Sequence, residues 1–205
     1  MLFADQELKD ELISFYSCYF RNKKECIDFI DKNLQCSDNT KRRMMNSVMR
    51  HVKISNYMLA YKPKRDALVI FNLVVAIESV YTISKSRLFK TDMIITFFKD
   101  EILAKHKQKI KDNFRYHAEY LNSKTNKSID ILEEFARFLY SIRNDYVHEG
   151  NYWEVLFSSE NSNVWSILNK EMNFNNDIKF FETLLSIEDI RNIIVNGLIN
   201  FIKSF

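Results

Sequence analysis

The chain contains only two glycines and one proline in 205 residues. Glycine supplies the positive φ angles that tight hairpin turns need, so this scarcity disfavours a large antiparallel sheet. It also excludes the glycine-rich loops that bind nucleotide phosphates, because neither GxGxxG nor GxxxxGK[ST] occurs in the chain. We therefore predict an all-α protein, a helical bundle built from long helices.

The composition is typical of a folded protein from a reducing compartment. Hydrophobic residues make up 46% of the chain and aromatic residues 14%, which is enough for a sizeable core. Three cysteines, Cys18, Cys26 and Cys36, lie without a CxxC pair or nearby histidines, which favours reduced thiols over a zinc site or disulfides. The N-terminus turns acidic too early for a signal peptide, and the longest apolar run, ALVIFNLVVAI, is about half a membrane span. We expect a cytoplasmic protein with no membrane partner, no cofactor and no metal.

A proline divides the helical pattern into two parts. Residues 4–34 indicate one or two helices, and a longer helix follows that ends near Ala60. Pro63 then breaks the pattern, because proline lacks a backbone donor and seldom lies inside a helix. We predict an N-terminal helical extension over residues 1–62, packed on a helical domain over residues 63–205.

The larger part contains several helical segments and one ambiguous stretch. Residues 65–86 are apolar on nearly all sides, which indicates a central buried helix, and residues 91–121 continue as helix. Residues 128–149 form the next helix, with Ser128 as its cap, and residues 186–205 form an amphipathic helix that opens with a capping box. The Asn- and Ser-rich stretch between these last two helices fits either a small hairpin or irregular loops.

Two charged residues occupy helix positions that ought to be buried. Arg143 falls in the middle of an apolar stripe that includes Leu132, Phe135 and Leu139. Glu78 projects to the same side as the apolar residues of its own helix. Burial of an unpaired charge is costly, so Arg143 needs a carboxylate, a phosphate or a partner chain. Glu78 is the first candidate.

The residues that follow Arg143 can carry chemistry. Asn144 is adjacent, and His148 lies in the last turn, before Gly150, which is suited to end the helix. The negative end of the helix dipole favours the protonated imidazole, so His148 can donate as well as accept a proton. On an ideal helix Arg143 and His148 are about 140° apart, so they meet one phosphate only over the helix end or with a second chain.

The sequence LYSIRNDYVHEG, residues 139–150, closely resembles the signature of the HEPN (higher eukaryotes and prokaryotes nucleotide-binding) family. In that signature an Arg, a polar residue and three variable residues precede a His, and Arg143, Asn144 and His148 fall on those positions. The earlier apolar helix containing AIES is similar to the family's core helix with its acidic residue. The resemblance covers roughly residues 65–205 as a helical pattern.

The resemblance implies a helical bundle that dimerises through the motif helices. Active members are metal-independent endoribonucleases of toxin, abortive-infection and CRISPR-linked defence systems. Members paired with nucleotidyltransferase antitoxins carry a tyrosine two residues after the His, where AMPylation occurs, whereas this chain has Gly150. The departure favours the abortive-infection-like ribonuclease groups, and a defence role implies an antitoxin or sensor protein as a further partner.

The expected chemistry is cleavage of RNA by attack of a 2′-OH on the adjacent phosphate. His148 would act as general acid or base, and Arg143 would bind the phosphorane through a bidentate fork. Asn144 would bind the phosphate or orient His148, and Glu78 would support Arg143. One His cannot easily be acid and base at once, so a symmetric dimer is mechanically sensible. We expect a 2′,3′-cyclic phosphate and a 5′-OH end, with DNA spared.

Two other functions stay open. The chain can be a catalytically inactive HEPN-like module that binds nucleotide, RNA or a protein partner through the same face. It can also be a plain helical interaction protein, in which the pair of Arg143 and Glu78 only specifies packing.

Basic and aromatic side chains offer further candidates for RNA contact. Arg43, Arg50 and Lys53 share one helical face, and a run of basic residues extends over residues 105–115. Lysine-rich faces are more often simply solvated, and the net charge of +3 does not demand nucleic acid. The aromatic residues after the motif can stack on bases, although core burial is the commoner role: Trp153, Phe157 and Trp165. The remaining histidines show no metal-ligand spacing: His51, His106 and His117.

Overall fold

The structure, a computed structural model, describes residues 2–35, 39–61, 65–119, 130–148, 157, 166–171 and 178–205. The described helices are α1 (Leu2–Tyr16), α2 (Lys23–Leu34), α3 (Thr40–Tyr61), α4 (Asp66–Ile83), α5 (Lys90–Thr96), α6 (Ala104–Asn113), α7 (Ile131–His148) and α8 (Ile187–Ser204). A 3-10 turn (Ser17–Tyr19) follows α1, and a π-helical turn (Phe97–Glu101) follows α5. A small sheet contains β1 (Phe114–Glu119), β2 (Ser166–Glu171) and β3 (Ile178–Thr183). The fold is an all-α helical bundle with this small sheet attached, as predicted.

Helix α4 lies at the centre of the bundle, where it contacts α3, α5, α7 and α8. Most of its residues are buried, as their apolar character on nearly all sides predicts. By length and composition α4 could cross a membrane, but 72% of that window is buried inside the protein. This burial is what the core helix of a bundle requires.

The chain before Pro63 shares the hydrophobic core of the rest. Helix α3 packs along α4, and buried residues of α1, α2 and α3 belong to the same cluster as those of α4, α7 and α8. The Tyr16 hydroxyl, fully buried, donates to the Met45 carbonyl oxygen at 3.0 Å and fastens α1 to α3. The division into an extension over 1–62 and a domain over 63–205 stays a prediction.

Side chains cap several helices at positions that the sequence signals. Ser186 and Asp189 form the predicted capping box at the start of α8. Helix α7 is capped by Asp130, whose Oδ1 accepts from the backbone N–H of Leu132 at 3.0 Å. The predicted cap, Ser128, lies outside the described residues. Asp130 takes this role because its carboxylate favours the positive end of the helix dipole.

The prediction of continuous helix over residues 91–121 is wrong at two places. The π-helical turn and Leu103 interrupt it, and the chain becomes strand β1 from Phe114 onward. Aromatic residues favour strands, and Phe114 and Tyr116 alternate with Arg115 in the period of a half-buried strand. Strand β1 pairs antiparallel with β3, so Phe114 lies opposite Thr183.

The stretch between α7 and α8 contains the small hairpin that was one of its two predicted forms. Strands β2 and β3 pair antiparallel, and the strand order is β1-β3-β2. Phe181 of β3 packs against Phe138 of α7 with ring centroids 4.6 Å apart. The described residues of the sheet are therefore joined to the motif helix by aromatic packing.

A buried carboxylate fastens the chain after α7 to the start of α4. The backbone N–H of Phe157 donates to Asp66 Oδ2 at 2.8 Å, although the two residues are 91 positions apart. Burial raises the pKa of Asp66, and the hydrogen bond from Phe157 acts against that rise. Phe157 itself is buried against Phe138, which places it in the core, the commoner of its two predicted roles. Trp153 and Trp165 lie outside the described residues.

Candidate functional site

Glu78 and Arg143 meet inside the bundle, where α4 contacts α7. Each residue is only 8% exposed. Arg143 Nη2 donates to Glu78 Oε2 at 3.1 Å, and Arg143 Nε lies 2.9 Å from Glu78 Oε1. The second contact is within ion-pair distance but is not aligned for a hydrogen bond. Arg143 Nε and Glu78 Oε1 therefore both lack a hydrogen-bond partner among the described residues. The pairing of Arg143 with Glu78 follows from the rule that buried charges need partners.

The local sequence explains why both charges lie inside. In α7 the residues one, two and three turns before Arg143 are buried: Leu139, Phe135 and Leu132. Arg143 continues that stripe at helical spacing, so the helix cannot turn it to solvent without exposing the stripe. In α4 the residues one turn before and three residues after Glu78, Val74 and Tyr81, are buried as well.

Three neighbours complete the surroundings of the ion pair. Arg143 Nη1 donates to Asn144 Oδ1 at 3.2 Å, so Asn144 contacts the guanidinium directly. The Tyr140 ring lies under the guanidinium, with Arg143 Cζ 5.8 Å from its centroid. Lys90 Nζ lies 3.8 Å from Glu78 Oε2, and the Lys90 side chain is 58% exposed. We refer to Glu78, Lys90, Tyr140, Arg143 and Asn144 as the motif cluster.

Lys90 and Tyr140 are members of the motif cluster that sequence reasoning missed. Tyr140 had a signal, because it precedes Arg143 by three residues and such pairs share a helix face. Lys90 had none, since it reaches Glu78 through the fold and lies at the start of a separate helix.

The motif cluster has a net positive charge and N–H donors that can bind an anion. One carboxylate and two cations leave one net positive charge. A guanidinium carries five N–H groups, and Glu78 and Asn144 accept hydrogen bonds from one on Nη2 and one on Nη1. With respect to the described residues, one N–H on each of these nitrogens is therefore left for an oxyanion. The exposed ammonium of Lys90 can contribute a further donor.

His148 is the last residue of α7, and its side chain lies outside the described part. The helix is regular from Arg143 to His148, so the two Cα atoms are separated by about 7.5 Å along the axis and about 140° around it. Within one chain the two Cα atoms therefore lie on different sides of the helix. Val147 lies one turn beyond Arg143, within about 40° of it, and is 48% exposed. Gly150 lies outside the described residues.

The predicted basic face on α3 divides into two parts. Arg43 and Arg50 line a cleft of about 320 Å³ between α3 and the C-terminal end of α4. Lys53 instead forms an ion pair with Glu11 of α1, with Nζ 2.5 Å from Oε1. The three cations do share α3, but only the two arginines lie at the cleft.

Several other predicted candidates have local partners. In the basic run, Lys109 pairs with Asp189 at 2.5 Å and Lys107 Nζ donates to the Lys99 carbonyl oxygen. His51 Nε2 lies 3.4 Å from Ser79 Oγ, while burial and nearby lysines lower the pKa of His106. The side chain of His117 lies outside the described part. Among the residues that the structure describes, no three His, Cys, Asp or Glu side chains are grouped as metal ligands.

Comparisons with family models, with curated proteins and with solved structures found no match to this chain.

Proposed function

We propose that this chain is a metal-independent endoribonuclease of the HEPN type, which cleaves RNA by attack of a 2′-OH on the adjacent phosphate. The observation that carries the proposal is the guanidinium of Arg143, held by Glu78 and contacting Asn144 on the helix that ends at His148. A toxin or phage-defence effector is the biological role that this activity fits.

Arg143 is suited to stabilise charge in this reaction. Its orientation is fixed by Glu78 and by the Tyr140 ring, and it retains N–H groups that are free to bind a phosphate oxygen. A donor fixed in advance requires no reorganisation when negative charge develops on the phosphorane, which is the main source of such catalysis. Lys90 adds mobile positive charge at the exposed side.

His148 would transfer the protons. Its place at the C-terminal end of α7 favours the protonated imidazole, which a general acid needs. The angle of about 140° from Arg143 separates the two within one helix, so a second copy would bring a His148 to the phosphate. We propose a homodimer through the α7 helices, since exposed Val147 extends the Arg143 side of α7 and exposed Phe89 precedes Lys90.

The test is cleavage of a radiolabelled single-stranded RNA in EDTA by the wild type and three variants. We expect His148→Ala and Arg143→Lys each to lower the cleavage rate at least about a hundredfold. The first variant removes the group that transfers protons, and the second removes the bidentate fork that binds the phosphorane. The matched control His106→Gln should cleave at the wild-type rate and exclude a contaminating nuclease. Products should carry a 2′,3′-cyclic phosphate, and a strand with 2′-deoxyribose should be resistant.

Equal cleavage by the wild type and His148→Ala would contradict the enzyme proposal. The second candidate function is an inactive HEPN-like module that binds nucleotide, RNA or a protein partner, and it is favoured by the low exposure of Arg143. That module predicts RNA binding without products, lost in Arg143→Ala and kept in His148→Ala.

A further inference from the structure

A cleft on α3 contains two arginines with no carboxylate partner among the described residues. We call it the α3 cleft, and its lining residues are Arg43, Asn46, Ser47, Arg50, His51 and Ile54 of α3 and Ile83 of α4. Both arginines are exposed, and neither forms an ion pair with a described residue. The α3 cleft is therefore a concentration of positive charge that the described part of the chain leaves unneutralised.

The spacing of the lining residues brings these charges to one stripe of the helix. Arg43, Ser47, Arg50 and Ile54 are separated by four, three and four residues, which places them within about 60° of arc. Two like charges on one stripe repel each other, and the repulsion is weakened when an anion lies between them. The polar side chains beside them supply hydrogen-bond donors for such an anion.

A second observation points to the same ligand. His51 Nδ1 is buried and has no hydrogen-bond partner among the described residues, while Nε2 lies 3.4 Å from Ser79 Oγ. An unsatisfied buried nitrogen is costly, and His51 lines the α3 cleft, so a ligand that enters the cleft can supply the missing hydrogen-bond partner. Burial, followed by the charge of Arg50, lowers the pKa of His51.

We propose that the α3 cleft binds the phosphate group of a small molecule, through Arg43, Arg50 and His51. A guanidinium binds phosphate oxygens through two parallel N–H groups, and two guanidinium groups can neutralise a dianion. Ile54 and Ile83 give the α3 cleft an apolar wall, which suits a nucleoside attached to the phosphate. The volume of about 320 Å³ is near the lower end for small-molecule sites, so a small phosphate compound fits better than a polymer.

The α3 cleft is separate from the motif cluster, although both use α4. Ser79 and Ile83 face α3 and lie within about 40° of each other around the axis of α4. Glu78 lies about 100° from Ser79, on the side that meets α7. The proposal therefore does not depend on the ribonuclease function.

The test is calorimetric titration of the full chain with inorganic phosphate and with AMP. We expect Arg43→Gln and Arg50→Gln each to weaken binding at least about tenfold, since each removes a charge-assisted contact. Two matched controls should stay within about twofold: Lys53→Gln, on the same helix but paired with Glu11, and Arg137→Gln, paired with Glu133 on α7. In parallel, the His51 ring resonances should shift on addition of ligand in an NMR titration.

The two ligands identify the source of the phosphate. Tighter binding of AMP would assign a nucleoside phosphate, and equal binding would assign inorganic phosphate; either result supports the proposal. The proposal would be overturned if neither ligand binds the folded wild type. Equal losses of affinity in all four variants would also overturn it. Binding of a single-stranded RNA alone, weakened also by Lys53→Gln, would overturn it in favour of an RNA groove along α3.

Discussion

The arginines of the motif cluster and of the α3 cleft differ in burial and in pairing. Arg143 is buried and bound to Glu78, whereas Arg43 and Arg50 are exposed, and no carboxylate of the part that the structure describes pairs with them. Both regions use α4, and in the sequence a histidine follows the arginines of each: His148 after Arg143, and His51 after Arg50. The difference lies in access to water, which determines whether an arginine must be neutralised by the protein itself.

This contrast separates two uses of positive charge. A buried guanidinium is fixed in position by its carboxylate, which suits a group that must meet a transition state in one geometry. An exposed, unpaired guanidinium keeps its full charge and its freedom, which suits reversible binding of an anion. The same substitution made at an arginine in each region should therefore change the free energy of unfolding by different amounts.

The largest effect on stability is expected from Glu78→Ala. The change leaves the guanidinium of Arg143 buried without its counter-charge, and we expect a loss of about 3–5 kcal/mol in the free energy of unfolding. Urea denaturation measures it. The double variant Glu78→Leu with Arg143→Met should recover most of this loss, because it removes both charges. A loss below about 1 kcal/mol for Glu78→Ala would show that water reaches Arg143, and the contrast would fail.

An intermediate effect is expected when the same substitution is made in both regions. Arg143→Lys keeps the charge but loses the fork that meets both oxygens of Glu78, so we expect a cost of about 1–3 kcal/mol in the free energy of unfolding. Arg50→Lys should change it by no more than about 0.5 kcal/mol, since Arg50 has no partner to lose. Equal costs in parallel urea titrations would contradict the contrast.

The smallest effect is expected from the titration of His51. Its pKa is lowered in the folded state, so below about 6.5 the unfolded chain binds more protons than the folded one. Stability from this group is therefore full above that pH and is lost as the pH falls through the folded pKa. The free energy of unfolding should fall less steeply between pH 7 and 5 in His51→Gln than in the wild type. Parallel slopes would show that His51 is not desolvated.

The sequence predicted the motif cluster better than the α3 cleft, for a physical reason. A charge in an apolar stripe signals its own burial, and a buried charge needs a partner, so Glu78 could be named as the first candidate partner of Arg143 from their helical positions. Lys90 could not be found in this way, because exposed charges carry no such demand. The position of the His148 side chain and its proton-transfer role stay predictions.

The basic face of α3 shows where helical periodicity reaches its limit. Periodicity placed Arg43, Arg50 and Lys53 together, but the wall of the α3 cleft comes from α4, and Glu11 of α1 pairs with Lys53. Likewise β1 was predicted as helix because its partner, β3, lies more than 50 residues away along the chain. A local pattern of hydrophobic residues does not predict contacts between elements that are distant in sequence.

The hydrogen bond between Phe157 and Asp66 has a consequence for the order of folding. It joins residues 91 positions apart, so it closes a large loop and is costly in chain entropy until α4 and α7 lie together. During synthesis from the N-terminus, both Glu78 and Arg143 leave the ribosome before Phe157 does. The ion pair can therefore form on the nascent chain before Phe157 reaches Asp66.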